Sequence, residues 1–201
     1  MKSFRPEVEH GIVFRQKPTT CFKYNGWPTV CKDENGVLYA AASSMRMSHV
    51  DPTGKNCMWI SKDEGKTWCP PIVVNDSYFD DRDAGITYMG NGKMLMSWFT
   101  LCYEDFCEPI QSYDWFPKQD KAISKGFGEC WKLLSEEDRA NGSGAFVKVS
   151  EDYGVTWSDP IRVPLTAPHG PSVCKDGTLV YMGKQMDPDY LAPNPIVVYT
   201  S

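Results

Sequence analysis

Two stretches of the sequence concentrate side chains that could transfer protons or bind a polar ligand. One contains Arg46, His49 and Asp51, and the other is the run Asp-Asp-Arg-Asp at residues 80–83. A carboxylic acid with a raised pKa can protonate a leaving group, and the donor fork of arginine binds hydroxyls and carboxylates. His169 could donate a hydrogen bond to a ligand hydroxyl, or it could merely cap the start of a strand. These residues lie far apart in the chain, so a fold must bring them together.

A repeated motif indicates which fold could do so. Segments 61–68 and 150–157 both read S-x-D-x-G-x-T-W. The glycine supplies the left-handed residue of a tight hairpin turn, and the aspartate can accept backbone N–H bonds within that turn. The tryptophan is a large apolar side chain that can be buried between sheets. We therefore expect a structural role for the repeated residues, which are Ser61, Asp63, Gly65, Thr67, Trp68, Ser150, Asp152, Gly154, Thr156 and Trp157.

A second repeated element precedes each motif and recurs once more. Segments 27–39, 84–96 and 170–181 each read as an apolar strand, a turn containing Asn-Gly or Asp-Gly, and a second apolar strand. With the strands on either side of the motif, each unit has four short antiparallel strands. The sequence predicts one all-β domain over 1–201, with units at about 26–76 and 80–165. A third unit begins at about 168 and reaches 201 before its fourth strand.

The S-x-D-x-G-x-T-W motif is the Asp-box signature, or BNR repeat, and the chain resembles the sialidase-like β-propellers of the neuraminidase superfamily. Propellers of that family have six four-stranded blades. The resemblance implies that this chain is the N-terminal half, with about 2.5 to 3 blades. The remaining blades would come from a longer chain or, as the less favoured alternative, from self-association.

The resemblance also implies roles for individual residues. Segment 41–51 is similar to the sialidase segment in which an arginine leaves the second strand and an aspartate follows on a loop. It implies that Arg46 contacts the sugar and that Asp51 is the general acid/base. Asp51 has a structural alternative, because Asp-Pro-Thr-Gly is also an ordinary turn sequence. Asp83 is the rival acid/base.

Further candidates for substrate binding follow from propeller geometry, in which the innermost strands converge on the axis. Arg82, His49 and His169 are expected near that axis. The arginine of the family's Arg-Ile-Pro motif is replaced here by Gly26-Trp27-Pro28, so sialic-acid specificity does not follow from the resemblance. Trp27 could instead be a stacking platform for a sugar. The family's tyrosine nucleophile and its other arginines would lie beyond Ser201.

The resemblance implies an exo-acting glycoside hydrolase that removes a terminal sugar, with sialic acid as one candidate, by the retaining chemistry of the family. The alternative is a non-catalytic glycan-binding propeller module. A glycan is the expected partner, and neither a metal nor another cofactor is expected. The net charge of −5 and isoelectric point of about 5.2 provide no basic surface for nucleic acid or an anionic membrane.

Two further expectations concern location and one atypical segment. No apolar run is long enough to span a membrane, and the N-terminus lacks a signal peptide, so a cytoplasmic protein with reduced cysteines is expected. Segment 102–144 is a long aromatic-rich excursion. It is either a wall over the sugar site or a packing insertion, and a short capped helix is expected within 133–139.

Overall fold

The computed structural model describes residues 8–101, 121–185 and 196–201, and these form antiparallel β-sheets with two short helices. The first sheet has the order β1-β2-β3-β4 and the second the order β5-β6-β7-β8. The strands of the first sheet are β1 (Tyr24–Lys32), β2 (Leu38–Arg46), β3 (Lys55–Ser61) and β4 (Ile72–Asn75). Those of the second are β5 (Asp80–Gly90), β6 (Lys93–Leu101), β7 (Ala145–Ser150) and β8 (Ile161–Val163).

The third sheet has the order β10-β11-β12, with β9 also paired to β11. Its strands are β9 (Leu165–Thr166), β10 (Ser172–Val173), β11 (Leu179–Gln185) and β12 (Ile196–Thr200). The prediction of four-stranded antiparallel units is confirmed for the first two sheets. Strand β9 was not predicted, because a two-residue strand carries no alternation that the sequence could reveal.

Local turn chemistry explains where the strands reverse. Residues Asn91 and Gly92 close the hairpin of β5 and β6, with φ values of 53° and 79°. A two-residue hairpin loop of this type requires positive φ at both positions, and Asn-Gly meets that requirement. In the first sheet the Asp33 carboxylate accepts the backbone N–H groups of Asn35 and Val37, both at 2.9 Å. In the first two sheets the first strand therefore ends at the predicted turn.

The two repeated turns, 61–68 and 150–157, have the same internal hydrogen bonds. The aspartate accepts from the threonine backbone at 2.8 Å and from the threonine hydroxyl at 2.6 Å in both copies. The tryptophan Nε1 donates to the glycine carbonyl at 3.1 Å in both. The hydrogen bonds from the threonine hydroxyl and backbone hold the pKa of Asp63 and of Asp152 at about 2. Each aspartate thus serves its own turn as an ionised acceptor.

The main hydrophobic core lies between the first two sheets. It is built from buried side chains of β2, β3, β4, β5 and β6, and Trp157 of the second turn packs against it. Trp68 of the first turn packs instead on a smaller cluster around Trp59. The core residues are Tyr39, Ala41, Met58, Val74, Ala84, Ile86, Met94 and Met96. The core therefore packs the first two sheets against each other.

The long excursion of the second sheet is described only in part. Helices α1 (Lys121–Lys132) and α2 (Glu136–Gly142) precede β7, and Ser135 caps α2 in a capping box with Asp138. The predicted capped helix therefore exists, although it runs about three residues further than expected. The aromatic segment 102–120 lies outside the described residues. None of the helices in the described ranges has the length and apolar character needed to cross a membrane.

One boundary differs from the prediction and matters for the site. The first strand of the second sheet begins at Asp80 rather than near 84, so the acidic run at residues 80–83 is part of a buried strand. Charged residues tolerate such a position only when they are paired. Their partners therefore have to be identified before any of them is considered as a catalytic group.

Candidate active site

The strand starts of the three sheets share an unusual backbone conformation. Trp27 and Asp83 have φ values of 55° and 54°, and His169, just before β10, has a φ of 73°. The pairing of β1 with β2 and of β5 with β6 is interrupted at Trp27 and at Asp83 respectively. Left-handed non-glycine residues cost of order 1 kcal/mol or more and cluster at functional sites. The repeated strain therefore indicates these three positions as candidates.

Contacts between the sheets bring the three positions together. The Thr29 hydroxyl lies 3.2 Å from the Ala84 carbonyl oxygen and 2.9 Å from His169 Nδ1. A methyl group added at Gly85 would collide with the backbone of His169 and Gly170. The chain before β10 thus runs directly against β5. The starts of the first strands of all three sheets meet at one place, which we call the mouth.

Asp83 is the acidic group of the mouth. Its side chain is about nine-tenths buried, and its Oδ1 has no hydrogen-bond partner in the described part of the chain. Burial raises the pKa of Asp83, although the electrostatic interactions with Arg82, His169 and Arg46 act in the opposite direction. An unpartnered buried oxygen disfavours the carboxylate, because a buried charge needs hydrogen bonds or a counter-ion. Asp83 is therefore suited to hold a proton that it can give to a ligand.

Asp80 organises the two arginines beneath the mouth. Its Oδ1 binds Arg46 Nη2, and its Oδ2 binds Arg82 Nη1 at 3.0 Å. The Asp80 and Arg46 side chains are fully buried, and that of Arg82 is 5% exposed. Two guanidinium groups around one carboxylate leave this cluster with a net positive charge.

Arg46 directs its remaining donors at the backbone. Nη1 donates to the Asp81 carbonyl at 3.1 Å, Nη2 to that of His49 at 2.9 Å, and Nε to that of Ser48 at 3.4 Å. Arg46 was expected to contact a sugar, but in this structure it is fully buried and connects the loop after β2 to β5. Buried guanidinium groups act in this way when their fork fits several acceptors.

Asp51 is also fully buried within that loop. Its carboxylate accepts hydrogen bonds from the Met47 backbone and from the backbone and hydroxyl of Thr53. Its own N–H donates to Asp80 Oδ2 at 3.0 Å. This geometry matches the turn alternative, since the carboxylate accepts three hydrogen bonds from its own loop.

His49 is neutral, and its tautomer follows from its partners. Arg82 Nη2 lies 3.1 Å from Nε2, and because a guanidinium only donates, Nε2 must accept. The proton therefore sits on Nδ1, which lies 3.2 Å from the Tyr24 hydroxyl. Burial, followed by the charges of Arg82 and Arg46, lowers the pKa of His49 to about 4. His49 is thus a neutral link between β5 and β1.

Trp27 lies over this cluster with its ring partly exposed. The guanidinium carbons of Arg82 and Arg46 are 4.5 Å and 5.3 Å from the centre of its ring. The His49 ring meets it edge-on at 5.0 Å. Cation–π contacts and the edge contact hold the indole in one orientation. An aromatic ring fixed in this way is a preformed surface for stacking.

Asp81 faces the opposite side of β5 from Asp80. It is fully buried and accepts hydrogen bonds from the backbone and hydroxyl of Ser77, at 2.9 Å and 3.0 Å. Burial raises its pKa to about 7. Asp81 also lines a cavity of about 270 Å³ together with Trp98 and Phe146.

The structure therefore divides the predicted site residues into two groups. Trp27, Asp83 and His169 meet at the mouth, whereas Arg46, Asp51, His49 and Arg82 form the layer that supports it. Asp80 was noted in the sequence as part of the acidic run at residues 80–83, although its role as the partner of both arginines was not predicted. Thr29 was not singled out, since a single threonine in a strand is ordinary. Among the described residues, no group of three or more His, Cys, Asp or Glu side chains could hold a metal ion.

No protein-family model matches the chain, and no curated protein is similar to it. Several solved structures are similar in fold. A protein of unknown function from Dyadobacter fermentans matches with a TM-score of 0.56 and 20% identity, covering 94% of this chain and 52% of that one. The Hadza microbial sialidase Hz136 matches with a TM-score of 0.55 and 16% identity, covering 88% and 35%.

A third similar structure is the intramolecular trans-sialidase from Ruminococcus gnavus, solved with oseltamivir carboxylate. It matches with a TM-score of 0.52 and 12% identity, covering 87% of this chain and 58% of that one. The chain therefore spans between about a third and three-fifths of the three matched proteins. At these identities the likeness establishes a shared fold, which this chain has in common with a sialidase and a trans-sialidase.

Proposed function

We propose that the chain is part of a β-propeller glycoside hydrolase that removes a terminal sugar from a glycan, with Asp83 as the proton donor. The three sheets would be about 2.5 to 3 blades, and the mouth would lie at the propeller axis. The observation that carries the proposal is the state of Asp83, an acid held at a strained position with one buried, unpartnered oxygen. Hydrolysis of a glycoside needs such an acid to protonate the departing oxygen.

The acid role goes to Asp83 rather than to Asp51. Asp51 was the first assignment from the family resemblance, but its carboxylate is fully buried and already accepts three hydrogen bonds from its own loop. A proton donor has to come within hydrogen-bond reach of the substrate. Asp83 retains some exposure at the mouth, which supports this choice.

The sugar would contact Trp27, Asp83 and His169. Arg46 and Arg82 are buried around Asp80, where they hold Trp27 and His49 in place. We therefore propose that the mouth binds an uncharged part of the sugar, and that these two arginines act by positioning. Binding of a sialic-acid carboxylate would require cationic groups other than these two.

We also propose that hydrolysis retains the anomeric configuration, because of the family resemblance. It requires a nucleophile, which we do not assign to any described residue. The stereochemistry of the first product distinguishes the two courses: a retaining enzyme releases the sugar with the anomeric configuration of the substrate. Proton NMR of the product during the first turnovers measures this directly.

The experiment for the proposal compares wild-type protein with Asp83→Asn on paired substrates of the same sugar. One carries an aryl leaving group that needs little protonation, and the other is a natural glycan linkage. The panel covers sialic acid and neutral sugars. Asparagine suits this position because it also tolerates positive φ. Loss of a general acid lowers kcat by about 10²- to 10⁴-fold on the glycan, and we expect a much smaller loss on the aryl glycoside.

Asp76→Asn serves as the matched control, since Asp76 forms an exposed ion pair with Lys55. Equal losses on both substrates would remove the acid role from Asp83. Undiminished cleavage of the glycan by Asp83→Asn would reject the proposal.

A glycan-binding module is the second candidate, and the fixed indole of Trp27 favours it. A binding module would show no turnover by the wild type. Its affinity for a glycan would fall on Trp27→Ala by the ~1–3 kcal/mol of a lost stacking contact, and would not change on Asp83→Asn.

A further inference from the structure

Thr29 makes two polar contacts that cannot both use its single proton. Its Oγ1 lies 3.2 Å from the carbonyl oxygen of Ala84 and 2.9 Å from Nδ1 of His169. A carbonyl only accepts, so the first contact requires the threonine proton. The second contact is then a hydrogen bond only if His169 supplies the proton from Nδ1.

The buried carbonyl group of Ala84 requires a hydrogen-bond donor. Ala84 is fully buried, and it lies where the pairing of β5 with β6 is interrupted, between Arg82 and Gly85. Buried carbonyl groups without a ladder partner are normally satisfied by another donor, and leaving one unsatisfied costs about 1–3 kcal/mol. The Thr29 hydroxyl is the donor that the structure provides.

We infer that Thr29 holds neutral His169 in the tautomer protonated on Nδ1, so that Nε2 presents a hydrogen-bond acceptor at the mouth beside Asp83. The imidazole is exposed at this point, and Nε2 lies on the side of the ring away from Thr29. This polarity is the reverse of the expectation from sequence, in which His169 donates to a sugar hydroxyl. Thr29 is then a positioning residue.

The pair formed by Asp83 and His169 has a consequence for specificity. A protonated Asp83 donates a hydrogen bond, while Nε2 of His169 accepts one. The ligand they fit together has an acceptor oxygen facing Asp83 and a free hydroxyl facing His169, as the bridging oxygen and ring hydroxyl of a glycoside provide. This consequence rests on the proposed function, whereas the tautomer does not.

The tautomer is tested without any substrate, by long-range ¹H–¹⁵N NMR of the whole protein with ¹⁵N-labelled histidine at a pH where ordinary imidazoles are neutral. The chain has three histidines, and the exposed His10 provides a reference signal in the same sample. We expect the His169 signal to be pyrrole-like at Nδ1 and pyridine-like at Nε2. His169→Asn assigns that signal by removing it. A pyrrole-like Nε2 in the wild type would overturn the inference.

Two substitutions at Thr29 separate the hydroxyl from its packing. Thr29→Val keeps the shape but removes the hydroxyl, and the His169 signal is expected to shift toward the Nε2-protonated form. Thr29→Ser restores the hydroxyl and is expected to restore the wild-type signal. If Thr29→Val leaves the tautomer unchanged, Thr29 is not the positioning residue.

The specificity consequence is tested on the glycoside that the protein cleaves best, with deoxy and O-methyl analogues at each ring hydroxyl. One analogue is expected to lose roughly 10- to 100-fold in kcat/KM, the effect of an unsatisfied hydrogen bond. His169→Asn keeps a donor for Thr29 and tolerates positive φ, but lacks Nε2, so it should erase this discrimination. Discrimination that persists in His169→Asn would remove His169 from ligand recognition, even if hydrolysis and the tautomer are as expected.

Discussion

The two repeated turns and the strand starts lie at opposite ends of the same sheets and have opposite properties. In turns 61–68 and 150–157 the same residue types make the same bonds, with corresponding distances that agree to within about 0.2 Å. At the strand starts, Trp27 and Asp83 occupy the same register position and the same backbone region, yet share no chemistry. Asp63 and Asp152 are fully engaged within their turns, whereas Asp83 leaves an oxygen unpartnered.

This contrast indicates how one repeated unit serves two purposes. A turn must form in every sheet, so its residues repeat and their hydrogen bonds are satisfied. A strand start with positive φ is strained in every sheet, but its side chain can differ from one sheet to the next. Residues that recur in every sheet therefore indicate a structural role. Positions that keep the same strained backbone but differ in side chain are the candidates for function.

The largest effect is expected from the layer beneath the mouth. Asp80→Asn removes the common partner of two buried guanidinium groups, and breaking a buried ion pair from one side costs about 3–5 kcal/mol. We expect the free energy of unfolding to fall by that amount in denaturant titrations. Asp76→Asn, which breaks an exposed pair, should cost less than about 1 kcal/mol. Equal costs for the two variants would mean that the Asp80 cluster does not hold the sheets together.

A smaller effect is expected where the second and third sheets touch. Gly85→Ala would place a methyl group against the backbone of His169 and Gly170, and overpacking typically costs about 1–3 kcal/mol. The variant should also move His169 relative to Asp83, so kcat should fall further than stability alone explains. Gly126→Ala is the control, because nothing lies within 4 Å of its added methyl group. An unaltered Gly85→Ala protein would contradict the close approach of these sheets.

How far the sequence predicts these two regions depends on the range of the interactions. The turns are predictable because all their bonds lie within a few residues, and Asn91-Gly92 determines its hairpin for the same reason. Trp27, Asp83 and His169 were identifiable as residues at the strand starts. The partnership of Thr29 with His169 was not, because it joins residues 140 positions apart.

For Arg46 and Asp51 the sequence suggested a role in ligand binding that depends on their exposure, which the sequence does not give. Their residue types and spacing are those of a ligand-binding segment, and the family resemblance implies that role. In the structure both side chains are fully buried and bonded within the protein, which favours a positioning role, and their contact with a ligand stays a prediction. Spacing in a sequence carries no information about which side of a loop faces solvent.

A still smaller effect is expected from pH, because the histidine beneath the mouth and the aspartates of the repeated turns should lose their contribution to stability in different pH ranges. His49 has a pKa of about 4 when folded and about 6.5 when unfolded, so the folded state binds its proton more weakly. Its stabilisation is present above about pH 6.5 and is lost as the pH falls toward 4. The turn aspartates, with pKa values of about 2, lose theirs only as the pH falls below about 4.

The measurement is the difference in melting temperature between wild type and His49→Gln across pH. Taking a difference removes the contribution of Asp81, whose raised pKa makes stability fall as the pH rises from about 4 to 7. The difference should shrink between pH 6.5 and 4 and stay constant below 4. A difference that stays constant between pH 6.5 and 4 would mean that His49 does not carry this titration.

The most direct test crosses Asp83→Asn with Asp152→Asn and measures both melting temperature and glycoside turnover. We predict that Asp83→Asn retains or slightly raises the melting temperature at neutral pH, because it removes a buried acid, and loses turnover by at least about 100-fold. Asp152→Asn should lower the melting temperature but leave the turnover of the folded protein unchanged. Turnover that survives in Asp83→Asn, or that disappears in folded Asp152→Asn, would contradict the assignment of function to the strand starts and of structure to the turns.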